Sequence, residues 1–540
     1  MLKTKLLVLL ALTFLIYLPS FGNHFIWDDE QFIYKNTSVL NFDLPAIFTE
    51  STTAGAGIAS NYYRPLTSLS FAIDHAIWGL KPFGFHLTNT LLHAGAGILL
   101  YLLLTQIGIG SKSNSIWKDP AFWLSLIFLV HPIQTEAVVY INSRGDSLSA
   151  LLAFTCLLMF AKVIRKTPDQ QSSLLPNQVW PVYITGIFLL AMLAKEIAIS
   201  TVALIFQIYW QQFVLEKNRK NHQLNHRIAR ITLVAASALA TTYFFLRLTV
   251  FNFQNTVNFY TEATEYSQSL AVRMLTFSKA IWIYWKLLLF PYPLHMERDL
   301  EIVNSLASIW PWLSFGAILL LFIAGDLERI KHSTTWIWFG SAWFALTISP
   351  VSGIIPINGM IYEHWQYLPM IGFFIVLWRI LSMTLRKFTL TNKFISFSKV
   401  FLIVVTIALG LFTIRQNWLW RNPISFYTYL LRYTDSARIR NNLGIAYADG
   451  GQIDQAIEQY TYALEFNNSY PQIYHNLANL YSISGKQEKA IEYYQLALER
   501  DPQFIPTLIN LTELYQQLGK TDEAAATAAA LEKLTGLSYN

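Results

Sequence analysis

Two adjacent carboxylates, Asp28 and Asp29, stand a few residues beyond the first long apolar run, in Phe25-Ile-Trp-Asp-Asp-Glu30. Charge is costly near hydrocarbon, so a doublet at a bilayer surface beside Phe25 and Trp27 asks for a reason. The chemistry open to it is general-base work or cation binding towards a substrate lying partly in lipid. A solvated turn at a helix end is the plain alternative. Polar groups of both signs recur where other apolar runs end: His86, His93, His131, Glu136, Arg144, Asp146, Lys195, Glu196 and the pair Glu363-His364. Gathered at one membrane face, they would line a pocket for an anionic lipid headgroup. Arg64, His131, Arg144 and Lys195 are the candidates for neutralising a phosphate, Arg64 because a guanidinium fork matches phosphate oxygens. Each has a bland reading beside it. Arg64 reads equally as an arginine snorkelling to headgroups, a lone intramembrane histidine is more often a packed hydrogen-bonding group, and Lys195-Glu196 can simply neutralise itself.

The elements that must position these residues follow from composition. The chain has 540 residues, 54% hydrophobic and 15% aromatic, with 13% charged. Its mean hydropathy is +0.35. Soluble domains carry about 25% charged residues, so most of this chain belongs in lipid. The net charge of +6 would suggest nucleic acid in a soluble protein. Here the cations flank apolar runs, as the positive-inside rule requires, which argues against nucleic acid. The single cysteine, Cys156, excludes an internal disulfide and a Cys-based metal site. No dedicated metal-ligand spacing and no glycine-rich phosphate loop occurs, so neither a metal nor ATP is implied.

Apolar runs long enough to cross a core of about 30 Å are expected at 4–21, 85–107, 120–138, 147–164, 181–195, 197–214, 229–250, 309–324, 335–350, 365–382 and 397–414. The first reads as an uncleaved span, since it ends in Pro19-Ser-Phe-Gly22 rather than a small-residue cleavage site. Lys162, Arg165 and Lys166, the basic loop 216–227, and Arg386, Lys387 and Lys393 then share one side with Lys3 and Lys5. This holds if 273–290, which carries Arg273, Lys279 and Lys286, lies at the outer interface instead of crossing. Eleven crossings would put the C-terminus outside. The long first outer loop, 22–84, holds an amphipathic helix after Asn61-Tyr-Tyr-Arg-Pro65, with Leu66, Leu69, Ile73, Ile77 and Leu80 on one face towards the membrane surface.

Past Trp418 the chain becomes periodic. Leu443, Leu477 and Leu511, then Tyr447, Tyr481 and Tyr515, then Ala456, Ala490 and Ala524, all recur every 34 residues. That is the tetratricopeptide pattern of stacked helix pairs. The division expected is a membrane domain over 1–417, a linker over 418–436 and three repeats over 437–540, the Ala-rich stretch 524–530 being the last repeat or its cap. The fold class is all-α: a polytopic helix bundle with a C-terminal α-solenoid whose groove binds a partner.

The ordered blocks Trp27-Asp-Asp, Tyr63-Arg-Pro-Leu-Thr67, Phe83-Gly-Phe-His-Leu-Thr-Asn89 with Leu91-Leu-His93, His131-Pro-Ile-Gln-Thr-Glu-Ala137, Ser143-Arg-Gly-Asp146, Ala194-Lys-Glu196 and Tyr367-Leu-Pro369 resemble the transmembrane and tetratricopeptide-repeat O-mannosyltransferases and their bacterial relatives. The resemblance implies a C-type glycosyltransferase fold and a sugar (mannose-like) donated by a polyprenyl-phosphate carrier at the outer membrane face. It further implies an acidic residue of the first outer loop as catalytic base or acceptor-positioning group, which maps onto Asp28 or Asp29, and inversion at the anomeric carbon. The acceptor would be a Ser/Thr hydroxyl of a protein, with the repeats binding acceptor or partner. The chain departs from the family in having only about three repeats, and in Glu363-His364 before Tyr-Leu-Pro. Two rival readings stay open. One is sugar transfer to a glycan or lipid acceptor. The other is a non-enzymatic scaffold or transporter whose repeats dock a partner, although a transporter should show related halves and residues 1–415 show no internal repeat.

Overall fold

The computed structural model describes residues 2–58, 60–110, 115–165, 179–215, 223–251, 266, 269–332, 334–354, 359–385 and 392–535. Lys166, Arg386, Lys387 and most of the basic loop lie outside them. The described residues are helical throughout, with no strand. The chain divides into two compact units, Met1–Arg421 and Asn422–Asn540.

In the first unit six helices are long and apolar enough to cross a membrane: Leu2–Gly22, Pro82–Ile107, Ile141–Arg165, His226–Leu248, Ile309–His332 and Lys399–Leu419. The protein is an integral membrane protein. The most hydrophobic stretch of Ile141–Arg165 is 67% buried while that of Ile309–His332 is only 11% buried, so the former is central and the latter peripheral. A continuous span over 120–138 was expected. Instead the chain bends by 51° between Pro120–Val130 and Pro132–Val139. The reason is Pro132: it removes a helical donor and forces the preceding residue to be extended, and His131 sits at φ −72, ψ 128. The runs at 181–195, 335–350 and 365–382 form the shorter apolar helices Trp180–Ala194, Trp336–Val351 and Pro369–Thr384. The run at 197–214 forms Ser200–Leu215.

Residues 273–290 form one helix, Leu270–Leu289. Arg273 turns inward to donate to the Gly353 carbonyl, and Lys279 pairs with Glu301. Prolines begin many of the helices, at Pro65, Pro82, Pro120 and Pro181, where the missing N–H has no helical partner to lose. Helix Pro65–Trp78 buries Pro65, Thr67, Ser68, Phe71, Ala72 and Asp74 inward. Ile73, Ile77 and Leu80 stay exposed, as an interfacial helix requires.

The two ends of this unit differ in chemistry. At one, buried Lys5 bonds Asp119, which also accepts from Tyr101, and Arg379 bonds Glu328. Glu328 there also accepts the Trp336 and Ile337 N–H groups, so the pair pins helix ends together. The other end gathers the segments 22–67, 131–146, 194–200, 293–300 and 359–368. The last helix, Asn392–Leu419, lies along the first, its Asn417 amide donating to the Ile16 carbonyl while its own carbonyl accepts from Asn23.

The second unit opens with Pro423–Leu430, inside the stretch expected as linker. Three antiparallel pairs follow: Ala437–Asp449 with Ile453–Phe466, Pro471–Ile483 with Gln487–Arg500, and Ile505–Gln517 with Thr521–Thr535. The Ala-rich stretch is thus the second helix of the third pair. Ala456, Ala463, Ala490 and Ala497 are fully buried where helices meet, and Gly444 lies so close to the Tyr460 ring that a Cβ would fall 2.5 Å from it. The turns within the pairs use Gly451, Gly485 and Gly519 at φ of +71, +73 and +71, a region that costs other residues about 1–2 kcal/mol.

Candidate functional site

The turn carrying the doublet is strained and over-determined. Trp27 sits at φ 60, unusual for a bulky residue. Such strain persists only where surroundings fix it. Here Asp29 fixes it: its Oδ2 accepts the Ile26 N–H at 2.9 Å and its Oδ1 accepts the Asn142 N–H at 2.9 Å. One carboxylate thereby closes its own turn and ties it to the segment between two membrane helices. Asp28 is half-buried, and its N–H donates to the Tyr140 hydroxyl. Of the two, Asp28 has the more accessible carboxylate, whereas Asp29 is buried. Burial pushes the Asp29 carboxyl up to about 8, against the pull of its two N–H donors, and the Asp28 charge adds to the rise. A single-turn π-helix, Glu30–Tyr34, follows directly; such turns concentrate at functional sites.

Arg144 does not face an incoming phosphate. It is fully buried, and every N–H is spent on the chain. Nε donates to Asn89 Oδ1 at 2.6 Å, Nη1 to the Ser70 carbonyl at 3.0 Å and to its hydroxyl, and Nη2 to Asp74 Oδ2 at 2.5 Å and the Phe85 carbonyl at 3.0 Å. It clamps the outer-loop helix to the start of two membrane helices. His131 is likewise committed: Nδ1 accepts the Ile133 N–H, which leaves Nε2 as the donor to the Leu288 carbonyl at 3.1 Å. Both residues leave the set expected to bind phosphate, because neither has a donor to give. His93 packs beside Tyr17 and Phe128 with bonds to Tyr367 and Leu129, a core role. His86 is buried within electrostatic reach of Arg144.

The remaining expected residues come together. Lys195 Nζ reaches both Asp146 oxygens, at 2.8 and 2.7 Å. Arg64 forks onto Glu196, Nε to Oε2 at 3.0 Å and Nη2 to Oε1 at 2.5 Å. The two pairs are neighbours, since Lys195 and Glu196 adjoin and Thr67 donates to the Ala194 carbonyl. Glu136 accepts the backbone N–H groups of Glu363 and His364 and the His364 ring Nδ1 at 2.7 Å. Charges on Lys195, Asp146 and Arg64 act on His364, which joins this group to the first two pairs.

Glu363 leads to two residues that the sequence reading passed over. Its Oε1 accepts from Arg298 Nη2 at 2.5 Å and from the His295 N–H at 2.7 Å. Arg298 also bonds the Pro293 carbonyl and the His295 ring, while its buried Nε has no partner. Burial pushes Glu363 up to about 8 against the adjacent guanidinium. The signal for Arg298 was a cation in a short segment, Pro293-Leu-His-Met-Glu-Arg298, directly after a helix already noted for its cations. Among the described residues no three His, Cys, Asp or Glu side chains group to hold a metal ion.

The site is therefore a rim of paired charges. Three largely buried cations, Arg64, Lys195 and Arg298, each rest on a carboxylate of the chain. In the Arg64–Glu196 pair the carboxylate is the more exposed partner.

Comparison with known proteins follows the same division. Tetratricopeptide repeat families match residues 471–504 and 444–485. A Caenorhabditis elegans protein named protein O-mannosyl-transferase is 25% identical over 478 residues, covering 87% of this chain and 63% of its own. Human protein O-mannosyl-transferase TMTC3 is 24% identical over 430 residues, covering 74% of this chain and 44% of its own. The chain thus spans less than two thirds of the length of these relatives. Among solved structures, ArnT from Cupriavidus metallidurans, crystallised with undecaprenyl phosphate, aligns over 92% of this chain and 80% of its own at 12% identity, with a TM-score of 0.37.

Two outcomes follow from this geometry. Arg144→Lys keeps the charge but loses the fork, and should destabilise the first unit by about 3 kcal/mol or more. Thermal unfolding in detergent, followed by tryptophan fluorescence, measures it; an unchanged midpoint would remove the clamp. Asp29 binds its proton more tightly folded than unfolded, so the stability it contributes is present at low pH. That stability is lost as pH rises from about 4 towards about 8. Asp29→Asn, fixed neutral, should therefore gain on the wild type over that window. A constant difference in melting temperature across it would contradict the assignment.

Proposed function

We propose that this chain transfers a sugar, mannose or similar, from a polyprenyl-phosphate carrier to a Ser/Thr hydroxyl of a protein, using a C-type glycosyltransferase fold at the outer membrane face. The observation that carries the reading is the gathering of Arg64, Lys195 and Arg298 in neighbouring ion pairs, with the turn of the half-buried Asp28 tied to Tyr140 and Asn142, just before the Asp146 that holds Lys195. The named activity of the relatives supports it.

A sugar phosphodiester is already activated. Its departing phosphate needs charge neutralisation rather than a proton, and preorganised cations do this best in a site that excludes water. In the step, the acceptor hydroxyl oxygen attacks the anomeric carbon as the carbon–oxygen bond to phosphate breaks. The electron pair leaves with the polyprenyl phosphate. The hydroxyl proton passes to Asp28, a transfer worth about 10²–10⁴-fold. Asp29 orients this carboxylate by fixing the turn, and the anomeric carbon inverts. Arg64, Lys195 and Arg298 receive the phosphate, exchanging Glu196, Asp146 and Glu363 for it in whole or part. Arg144 and His131 hold the scaffold. The chain would reside in the inner or plasma membrane, with the repeats outside binding a protein.

Two measurements test this. Asp28→Asn should lower transfer from a polyprenyl-phosphate sugar to a Ser/Thr peptide by about 10²-fold or more, with expression and melting temperature unchanged. Normal transfer would remove the base, and transfer to glycan or lipid but not peptide would replace the acceptor. Protease added to sealed right-side-out vesicles should cut the repeats; protection would place them in the cytoplasm, away from any outer acceptor.

A further inference from the structure

Arg247 stands in the last turn of the membrane helix His226–Leu248, and its charge is answered differently from those of the rim. Nη1 donates to the Phe251 carbonyl at 2.5 Å. Nη2 donates to the Asn61 carbonyl at 2.6 Å and to the Asn61 side-chain oxygen at 3.1 Å. All these acceptors are neutral amide oxygens. Among the described residues no carboxylate pairs with this half-buried guanidinium, and its Nε–H finds no acceptor. The charge is held in place but not compensated.

One turn earlier, on the same helix face, stands Tyr243. Its hydroxyl is buried and has no hydrogen-bond partner among the described residues, although buried polar atoms are almost always paired. Glu196, Arg247, Arg64 and Tyr63 all act on this hydroxyl electrostatically, so it lies among them. Its surroundings are fixed. Phe251 stacks on Tyr63 with ring centres 4.3 Å apart, the Tyr63 hydroxyl donates to the Phe48 carbonyl, and Arg64 lies over the Tyr62 ring. Asn61 to Arg64 are thereby seated on this helix end. Guanidinium and hydroxyl are pre-positioned, which leaves little ordering cost for binding. At adjoining positions Phe244, Phe245, Leu248 and Val250 are exposed, an apolar flank fit for acyl chains.

The fitting ligand is an anion that is also apolar. A guanidinium matches phosphate oxygens, and a tyrosine hydroxyl gives such an oxygen a charge-assisted hydrogen bond. A soluble phosphate would meet the donors but leave the apolar flank unused. We propose that Arg247 and Tyr243 bind the headgroup phosphate of a bilayer phospholipid, with its acyl chains along Phe244, Phe245 and Leu248. Neither residue belongs to the set that receives the carrier phosphate, and the proposal requires only that the chain resides in a membrane. Arg64 and Glu196 act on the same hydroxyl, so the bound headgroup stands beside that pair, on its lipid side.

The test uses the full chain, purified in detergent and stripped of lipid, with adducts followed by native mass spectrometry. Dioleoyl-phosphatidylglycerol added back should bind the wild type. Dioleoylglycerol, with the same chains but no phosphate, should bind about tenfold more weakly or worse. Arg247→Gln should weaken phosphatidylglycerol binding about tenfold, the effect of losing a hydrogen bond to a charged group. Tyr243→Phe removes a hydroxyl that bonds nothing in the protein, so it should fold normally and still bind about threefold more weakly. Unchanged affinity in either variant, or equal binding of dioleoylglycerol, would overturn the site. The comparison of the two lipids is made on the wild type, so it decides the matter even where Arg247→Gln folds poorly. Two competitors fix the source of the phosphate. Release of phosphatidylglycerol by millimolar inorganic phosphate would make this a site for soluble anions. Release by an equimolar polyprenyl phosphate would assign it to the sugar carrier, and either release would overturn the phospholipid.

Discussion

Burying Arg144 away from water obliges the chain to find an acceptor for each of its N–H groups, and the acceptors come from two other segments. Ser70 and Asp74 lie on the outer-loop helix, Asn89 and the Phe85 carbonyl on the next membrane helix, and Arg144 itself begins the most buried span. The Arg144 ring contacts with Phe71 and Phe85 close the arrangement on its apolar side. A guanidinium removed from solvent is costly unless each donor is met, so this position tolerates little movement. The candidate site hangs from it. Asn142, two residues before, supplies the N–H that holds Asp29, and Asp146, two residues after, receives Lys195. The clamp converts one desolvation penalty into the placement of both ends of the charged rim.

The rim itself is built from pairs, which is how cations can wait at a membrane surface without a ligand. Two carboxylates of the rim also accept backbone N–H groups. Glu363 accepts a backbone N–H, and Glu136 accepts two while bonding the His364 ring. The pairs are graded in exposure: Glu196 is 48% exposed, whereas Asp146 is 2% and Glu363 3%. Water reaches the Glu196 carboxylate, although the Arg64 side chain it holds is only 14% exposed. Opening the other two would strand a buried carboxylate, so a ligand there must share the cation rather than remove it.

How much of this could be read beforehand depends on the range of the contacts. The repeats were legible because their determinants recur locally: small residues at 456 and 490, leucines at 443 and 477, one register over a single period. In the membrane unit, apolar run length located helices but not their breaks. Residues 120–138 looked continuous although Pro132 was in plain view, and hydropathy does not register a proline's lost donor. Side-chain roles were least legible of all. Arg144 finds Asp74 across 70 residues, Asp29 finds Asn142 across 113 and Glu136 finds His364 across 228. No spacing rule reports such pairings. His131 looked like a phosphate ligand for want of knowing that the chain itself would occupy both of its nitrogens.

Residue type alone therefore overstated the number of free cations at this face and understated their source. Of the four groups expected to meet phosphate, Arg144 and His131 are held by the scaffold, and a further cation, Arg298, joins the rim from a segment with no doublet or motif to advertise it. What marks Arg298 is an unmet demand: a buried Nε with no acceptor, on a guanidinium whose other nitrogens hold Glu363, His295 and a carbonyl. Buried polar atoms are almost always paired, and an exception calls for a reason. Arg144 and Arg298 make the contrast within one chain. The first has satisfied every donor and can only hold structure. The second retains an Nε–H with no partner among the described residues, beside a carboxylate whose ionised form burial disfavours.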